Sequence, residues 1–237
     1  MKTKRLVFMI IKVCIDAVMT VLFLLLMGYH LLDGKVHEWL GISLFIAFII
    51  HNGLNYKWYL VLFKGKYNAI RIIQTVIDFL LWIAMICCAL SAVSISAHIF
   101  DGLNITWVSF GRKLHLSATV WTFLLMSLHL GLHWDMFIGM AKKNVPVPDK
   151  VSIILKWVFR AIVIAVCIYG AYHFYIRKLW EELFLLTEFK WFDYEKTVAL
   201  YLAESCAIMI LFASVSYYAK KLILLIKKKH RKTEALK

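Results

Sequence analysis

Apolar residues run in six long blocks, at about 6–32, 37–63, 70–100, 114–140, 151–175 and 197–226, with short polar breaks between them. Each block is too long for a strand and long enough to cross a hydrocarbon core of roughly 30 Å. Backbone groups in lipid must bond within their own segment, so each block predicts a helix. The polar positions inside the blocks are few, and four of them repeat a spacing. His37 and His51 are 14 residues apart, and so are His115 and His129. In a helix that separation is a rise of roughly 21 Å with a return to within about 40° of the same face. The second and fourth blocks each present two imidazoles on one stripe, at two depths.

Composition strengthens the membrane assignment. The chain of 237 residues is 62% hydrophobic and holds only two prolines, with a mean hydropathy of +0.76. A soluble domain of this length would not carry so much apolar surface. Residues 1–5 resemble the charged start of a signal peptide. The apolar stretch behind them outruns the usual core of roughly 7–15 residues and meets no small-x-small site, so it is read as a spanning helix. The fold class is therefore an all-α membrane protein with six transmembrane helices: a four-helix bundle holding the paired histidines (1–141), a proline-containing linker (142–150), a two-helix C-terminal part (151–226) and a basic tail (227–237).

The net charge of +14 would suit nucleic acid if it were spread evenly, but it is not. One side of the six-span arrangement holds Lys2, Lys4, Arg5 and Lys12; Lys57, Lys64, Lys66 and Arg71; Lys142, Lys143, Lys150, Lys156 and Arg160; and every basic residue from Lys220 onward. The other keeps Lys35, Arg112, Lys113, Arg177, Lys178, Lys190 and Lys196. This is the positive-inside bias, and it predicts both termini in the cytoplasm, a basic tail on anionic headgroups of membrane lipid, and no nucleic-acid partner. The long outer loop at 177–196 carries Trp180, Glu181, Glu182, Phe184, Phe189, Trp191, Phe192 and Tyr194, the composition of a headgroup-level segment. All five cysteines (14, 87, 88, 167 and 206) lie in apolar blocks without CxxC or CxxCH spacing. That points to neither disulfides nor covalent c-type haem.

Spans two and four run in the same direction if all six cross. His37 then pairs by depth with His115 near the outer surface, and His51 with His129 on the inner side. Two facing imidazoles between apolar helices suit the axial positions of haem iron. Intramembrane polar residues are costly, which favours function over accident for a matched set; His30, His98 and His173 are read as ordinary interface histidines. His133 shares the face of His115 and His129, about 6 Å deeper than His129, and is a second candidate for the inner ligand or a partner of a propionate, a quinone or Asp135. Gly41 and Gly131 could admit a ring or a neighbouring helix. Arg112 and Lys113 could meet outer propionates, and Lys57, Lys64 and Arg71 inner ones. Asp16, Asp78 and Glu204 are intramembrane carboxylates, either paired with a base or on a proton path.

The run His37-Glu38-Trp39-Leu40-Gly41, then His51-Asn52-Gly53-Leu54-Asn55 with Trp58, His115, and His129-Leu130-Gly131-Leu132-His133-Trp134 resembles the flavinylation-associated cytochrome family of bacterial membranes. The spacing on parallel helices is also loosely similar to cytochrome b of the respiratory bc complexes. The family resemblance implies a non-covalent di-haem b cytochrome of the cytoplasmic membrane. His37, His51, His115 and His129 would be its haem-iron ligands and His133 the contender. It implies an extracytoplasmic FMN-carrying flavoprotein as electron acceptor; a quinol or an inner dehydrogenase is the expected donor. Some relatives carry a fused flavin domain; none is seen in this sequence, so the acceptor is expected to be a separate protein and the chain an electron-transfer subunit rather than a self-contained enzyme. A ferric-reductase-like membrane component is the alternative, although no GxGxxG is present. A histidine-based metal transporter fits less well, because the histidines fall at two depths.

Overall fold

The apolar blocks fold as helices over most of their length. The structure, a computed structural model, describes residues 2–103, 105–144, 149–187 and 195–234. The helices are α1 (Lys2–Met27), α2 (Gly34–Leu54), the short α3 (Lys57–Val61), α4 (Ala69–Ile95), α5 (Val108–Asn144), α6 (Asp149–Ile176), the short α7 (Leu179–Leu183) and α8 (Val198–Glu234), with no strand among the described residues. Five of them, α1, α4, α5, α6 and α8, are long and apolar enough to cross a membrane. The helix α2 is not in that set. It has 21 residues, and His37, Glu38, His51 and Asn52 near its two ends dilute an otherwise apolar run. The proline-bearing stretch 145–148 and the loop residues Phe189, Trp191, Phe192 and Tyr194 lie outside the described residues.

Two of the apolar blocks break where side chains intercept the backbone. The second begins before His37, where Asp33 caps α2 by accepting the Lys35 N–H at 2.9 Å. It ends early because the Asn55 amide donates to the His51 carbonyl at 2.9 Å, and residues 57–61 continue as the separate α3. The third block stops at Ile95. Ser96 turns extended, and its Oγ accepts the N–H groups of Ile99 and Phe100 at 3.2 and 2.9 Å, a local alternative to another helical turn.

Side-chain pairs fix the directions of the helices. Lys12 meets Asn55 and Asp16 meets His51, so α1 and α2 are antiparallel. Ser91 meets His115 and Asp78 meets His129, so α4 and α5 are antiparallel too. Glu38 at the start of α2 binds Ser96 beyond the end of α4. It follows that α2 and α5 point the same way. The helix α8 lies against α5, with Ser216 Oγ donating to the Leu128 carbonyl at 2.7 Å and Lys220 Nζ to the Leu132 carbonyl at 2.8 Å, and α6 packs on α8. Met27 at the end of α1 accepts the Tyr201 hydroxyl, so the C-terminal pair is joined to the rest through α8. Buried Phe23, Leu44, Phe48, Met85, Phe123 and Ile208 form the centre, and Phe23 and Phe123 stack at 6.4 Å between α1 and α5. The outward faces keep large apolar side chains such as Ile154, Trp157, Ile168 and Leu225 exposed, as a lipid-facing surface requires.

The approach of α5 to α8 depends on a missing side chain. A Cβ built on Gly131 would lie 2.0 Å from the Ala213 carbonyl oxygen and 2.1 Å from Ser216 Oγ, whereas one on Gly139 would meet nothing within 4 Å. Gly131→Ala must push two backbones apart, and a cost of about 1–3 kcal/mol is expected. Thermal unfolding in detergent should show the loss for Gly131→Ala and none for Gly139→Ala; equal midpoints would contradict the packing.

Candidate functional site

The paired histidines gather at two levels. At the lower level, nearer the end of α2, His51 Nδ1 lies 2.7 Å from Asp16 Oδ1 on α1. On the other hairpin His129 Nδ1 lies 2.7 Å from Asp78 Oδ1 on α4. A carboxylate accepts, so each Nδ1 carries the hydrogen and each Nε2 keeps its lone pair. Both imidazoles are thus fixed in the tautomer that ligates metal through Nε2. Asn55 Nδ2 stands 3.5 Å from His51 Nε2, the orientation expected of a donor facing that lone pair. His133 packs on His129 with ring centroids 4.7 Å apart and lies within electrostatic reach of Asp16 and Asp78 alike. Lys220, which also faces this level, is paired with Asp135 at 3.0 Å.

At the upper level, near the start of α2 and α5, the hydrogen-bond partners of His115 are neutral, and the Glu38 carboxylate acts on His37 through space. His115 Nδ1 faces the Cys88 carbonyl at 3.2 Å and Ser91 Oγ at 3.1 Å on α4. His37 lies within electrostatic reach of His115. Its Nδ1 is buried and has no hydrogen-bond partner among the described residues, and its ring meets the Tyr29 ring edge-on at 4.9 Å. Glu38 holds this end in place. It accepts Ser96 Oγ–H at 2.7 Å and the N–H groups of Ala97 and Ile99 at 2.8 and 2.9 Å, tying the first turn of α2 to the loop beyond α4.

Among the described residues α2 packs on α1 and α5 packs on α4, while α2 and α5 are not closely packed on each other. A Cβ on Gly41, one turn after His37, would meet nothing within 4 Å. Gly131 belongs to the opposite situation: it lies against α8, so helix packing accounts for its size. Arg112 is exposed at the start of α5, beside the upper level. No group of three or more His, Cys, Asp or Glu side chains converges closely enough to hold a bare metal ion among the described residues. His37 and His115 at the upper level and His51 and His129 at the lower one are the residues that could hold a b-type haem: the Nδ1 partners of His51, His129 and His115 leave Nε2 for a metal, His37 Nδ1 has no such partner among the described residues, and there is open space beside Gly41.

Several site residues escape a reading of the histidines alone. Asp16 and Asp78 stand out in the sequence as intramembrane carboxylates, yet only the hairpin register assigns each to a particular imidazole. In the structure that register steps by four residues in opposite senses, Lys12 opposite Asn55 and Asp16 opposite His51. Glu38 sits inside the quoted histidine motif, but its clamp role needs the fold. A second polar cluster lies at the same end as His37, between α6 and α8. Glu204, buried to 2% exposure, accepts from Lys196 Nζ at 2.9 Å, with His173 Nδ1 at 3.5 Å and Arg177 Nη1 at 4.0 Å.

No protein-family model, curated protein or solved structure matches this chain.

Proposed function

We propose that the chain is a di-haem b-type cytochrome that carries electrons across a bacterial cytoplasmic membrane. In this reading α2 crosses as well, giving six spans, with both termini in the cytoplasm by the positive-inside rule. The carrying observation is the duplicated lower level: two histidines on separate hairpins, each holding an aspartate at 2.7 Å through Nδ1. Each contact leaves Nε2 as the metal-binding nitrogen of its ring, and the two rings are proposed as one ligand set.

The haems, when bound, supply reversible one-electron chemistry. The protein's share is to hold them at two depths, roughly 21 Å apart along parallel helices. Leu44 and Phe48 of α2, both buried, lie on the stripe between the two histidines and keep water from the intervening layer. Arg112 is placed to meet an outer propionate. A quinol or an inner dehydrogenase is the proposed donor and an extracytoplasmic FMN-carrying flavoprotein the acceptor, as the resemblance in the histidine motifs implies.

The test is a reduced-minus-oxidised spectrum of the protein purified in detergent, with haem quantified against protein. A b-type α band and about two haems per chain are expected. A colourless preparation that takes up no haem on reconstitution would end the proposal.

A further inference from the structure

The two levels are built from the same ligands but from different partners. Both lower imidazoles donate to an anionic carboxylate at 2.7 Å. At the upper level His115 faces a carbonyl and a hydroxyl, and His37 Nδ1 has no partner among the described residues. On these contacts, and resting on the cytochrome reading above, we propose that Asp16 and Asp78 give the lower site the lower reduction potential, so that electrons run from the cytoplasmic level to the outer one.

The chemistry is direct. A carboxylate accepting Nδ1–H strengthens the imidazole as a donor through Nε2, and stronger donation favours the oxidised metal. Its negative charge acts in the same sense, because reduction adds an electron beside it in a medium of low dielectric. The nearest cations have their direct partners elsewhere. Lys12 is bonded to Asn55 Oδ1 at 2.8 Å and Lys220 to Asp135 at 3.0 Å, and among the described residues neither forms an ion pair with Asp16 or Asp78. A neutral carbonyl or hydroxyl polarises its imidazole less than a charged acceptor does. In the transfer one electron leaves the lower site, which is oxidised by one, and arrives at the upper site, which is reduced by one; no atom moves. The donor that refills the lower site is a two-electron reductant on the cytoplasmic side, such as a quinol, and two such transfers reduce one flavin outside.

Asp16 and Asp78 are positioning residues that act through His51 and His129, and a potential is the quantity a merely structural role would leave alone. Optical redox titration of the haem-loaded wild type should resolve two waves. Asp16→Asn and Asp78→Asn should each raise the lower wave by a tenfold or larger change in the reduction equilibrium, about 59 mV for one electron, and leave the upper wave in place. Ser91→Ala should leave the lower wave unmoved. An unmoved lower wave in both asparagine variants, or a shift confined to the upper wave, overturns the inference. A second measurement needs no aspartate variant. The chain that keeps only the lower site (His115→Ala) must titrate below the chain that keeps only the upper one (His51→Ala), and the reverse order also overturns it. A wild type without haem would instead remove the function proposal on which this rests.

Discussion

His51→Ala and His129→Ala are each expected to cut haem content from about two per chain to about one, with the upper site retained in both variants. The expectation follows from the proposal that His51 and His129 hold one haem together: without either imidazole the group would be held from one side only. His37→Ala and His115→Ala should remove the other haem, so the four variants sort into two classes by depth. His133→Ala serves as the internal comparison. Its ring touches His129, but the carboxylate that sets a ligand tautomer sits on His129, so two haems should remain. Haem-to-protein ratio and the low-temperature shape of the α band check all five. Retention of both haems in His51→Ala and His129→Ala would break the pairing, and loss of a haem in His133→Ala but not His129→Ala would move the lower ligand by one turn.

How far the chain could be read without its fold depends on the kind of signal. Helices were legible because a bilayer leaves the backbone few alternatives, and parallel α2 and α5 followed from counting spans. Helix ends were less so. The second block reads as one apolar run through residue 63, yet Asn55 turns its amide back on His51 and ends α2 there. Ser96 ends α4 in the same manner. Such side-chain interceptions depend on a few atoms and leave no mark on hydropathy. The helix α2 shows the converse: the histidines and other polar residues that make it a candidate ligand helix are the ones that lower its apolar character and keep it out of the five spanning helices. The histidine spacing was visible as a pattern, while the asymmetry between levels was not, since Asp16, Asp78, Cys88 and Ser91 acquire their meaning only from the register of two hairpins. Gly41 and Gly131 looked alike in sequence; neighbours separate them, open space in one case and the backbone of α8 in the other.

Glu204→Ala should destabilise the protein by about 3–5 kcal/mol, the range found when one member of a buried ion cluster is removed. The carboxylate is the centre of charge for Lys196, Arg177 and His173, and its side chain is 2% exposed while theirs are 20%, 11% and 12%. Arg177 is further committed to Ser205 Oγ at 3.0 Å and Tyr201 at 2.6 Å, and Tyr201 in turn donates to the Met27 carbonyl. Removing the anion therefore strands cations that cannot swing to water without giving up the contacts that join α6, α8 and α1. Glu204→Gln keeps the shape and an acceptor, and should cost less. The double variant Glu204→Ala with Lys196→Met should recover part of the loss, because the partly buried ammonium no longer lacks a counter-charge. Thermal unfolding in detergent reads all three, with a fall of roughly 10 °C for Glu204→Ala. A midpoint unchanged by Glu204→Ala would mean that water reaches this cluster freely, and a double variant no better than the single would place the cost outside the Lys196 pair.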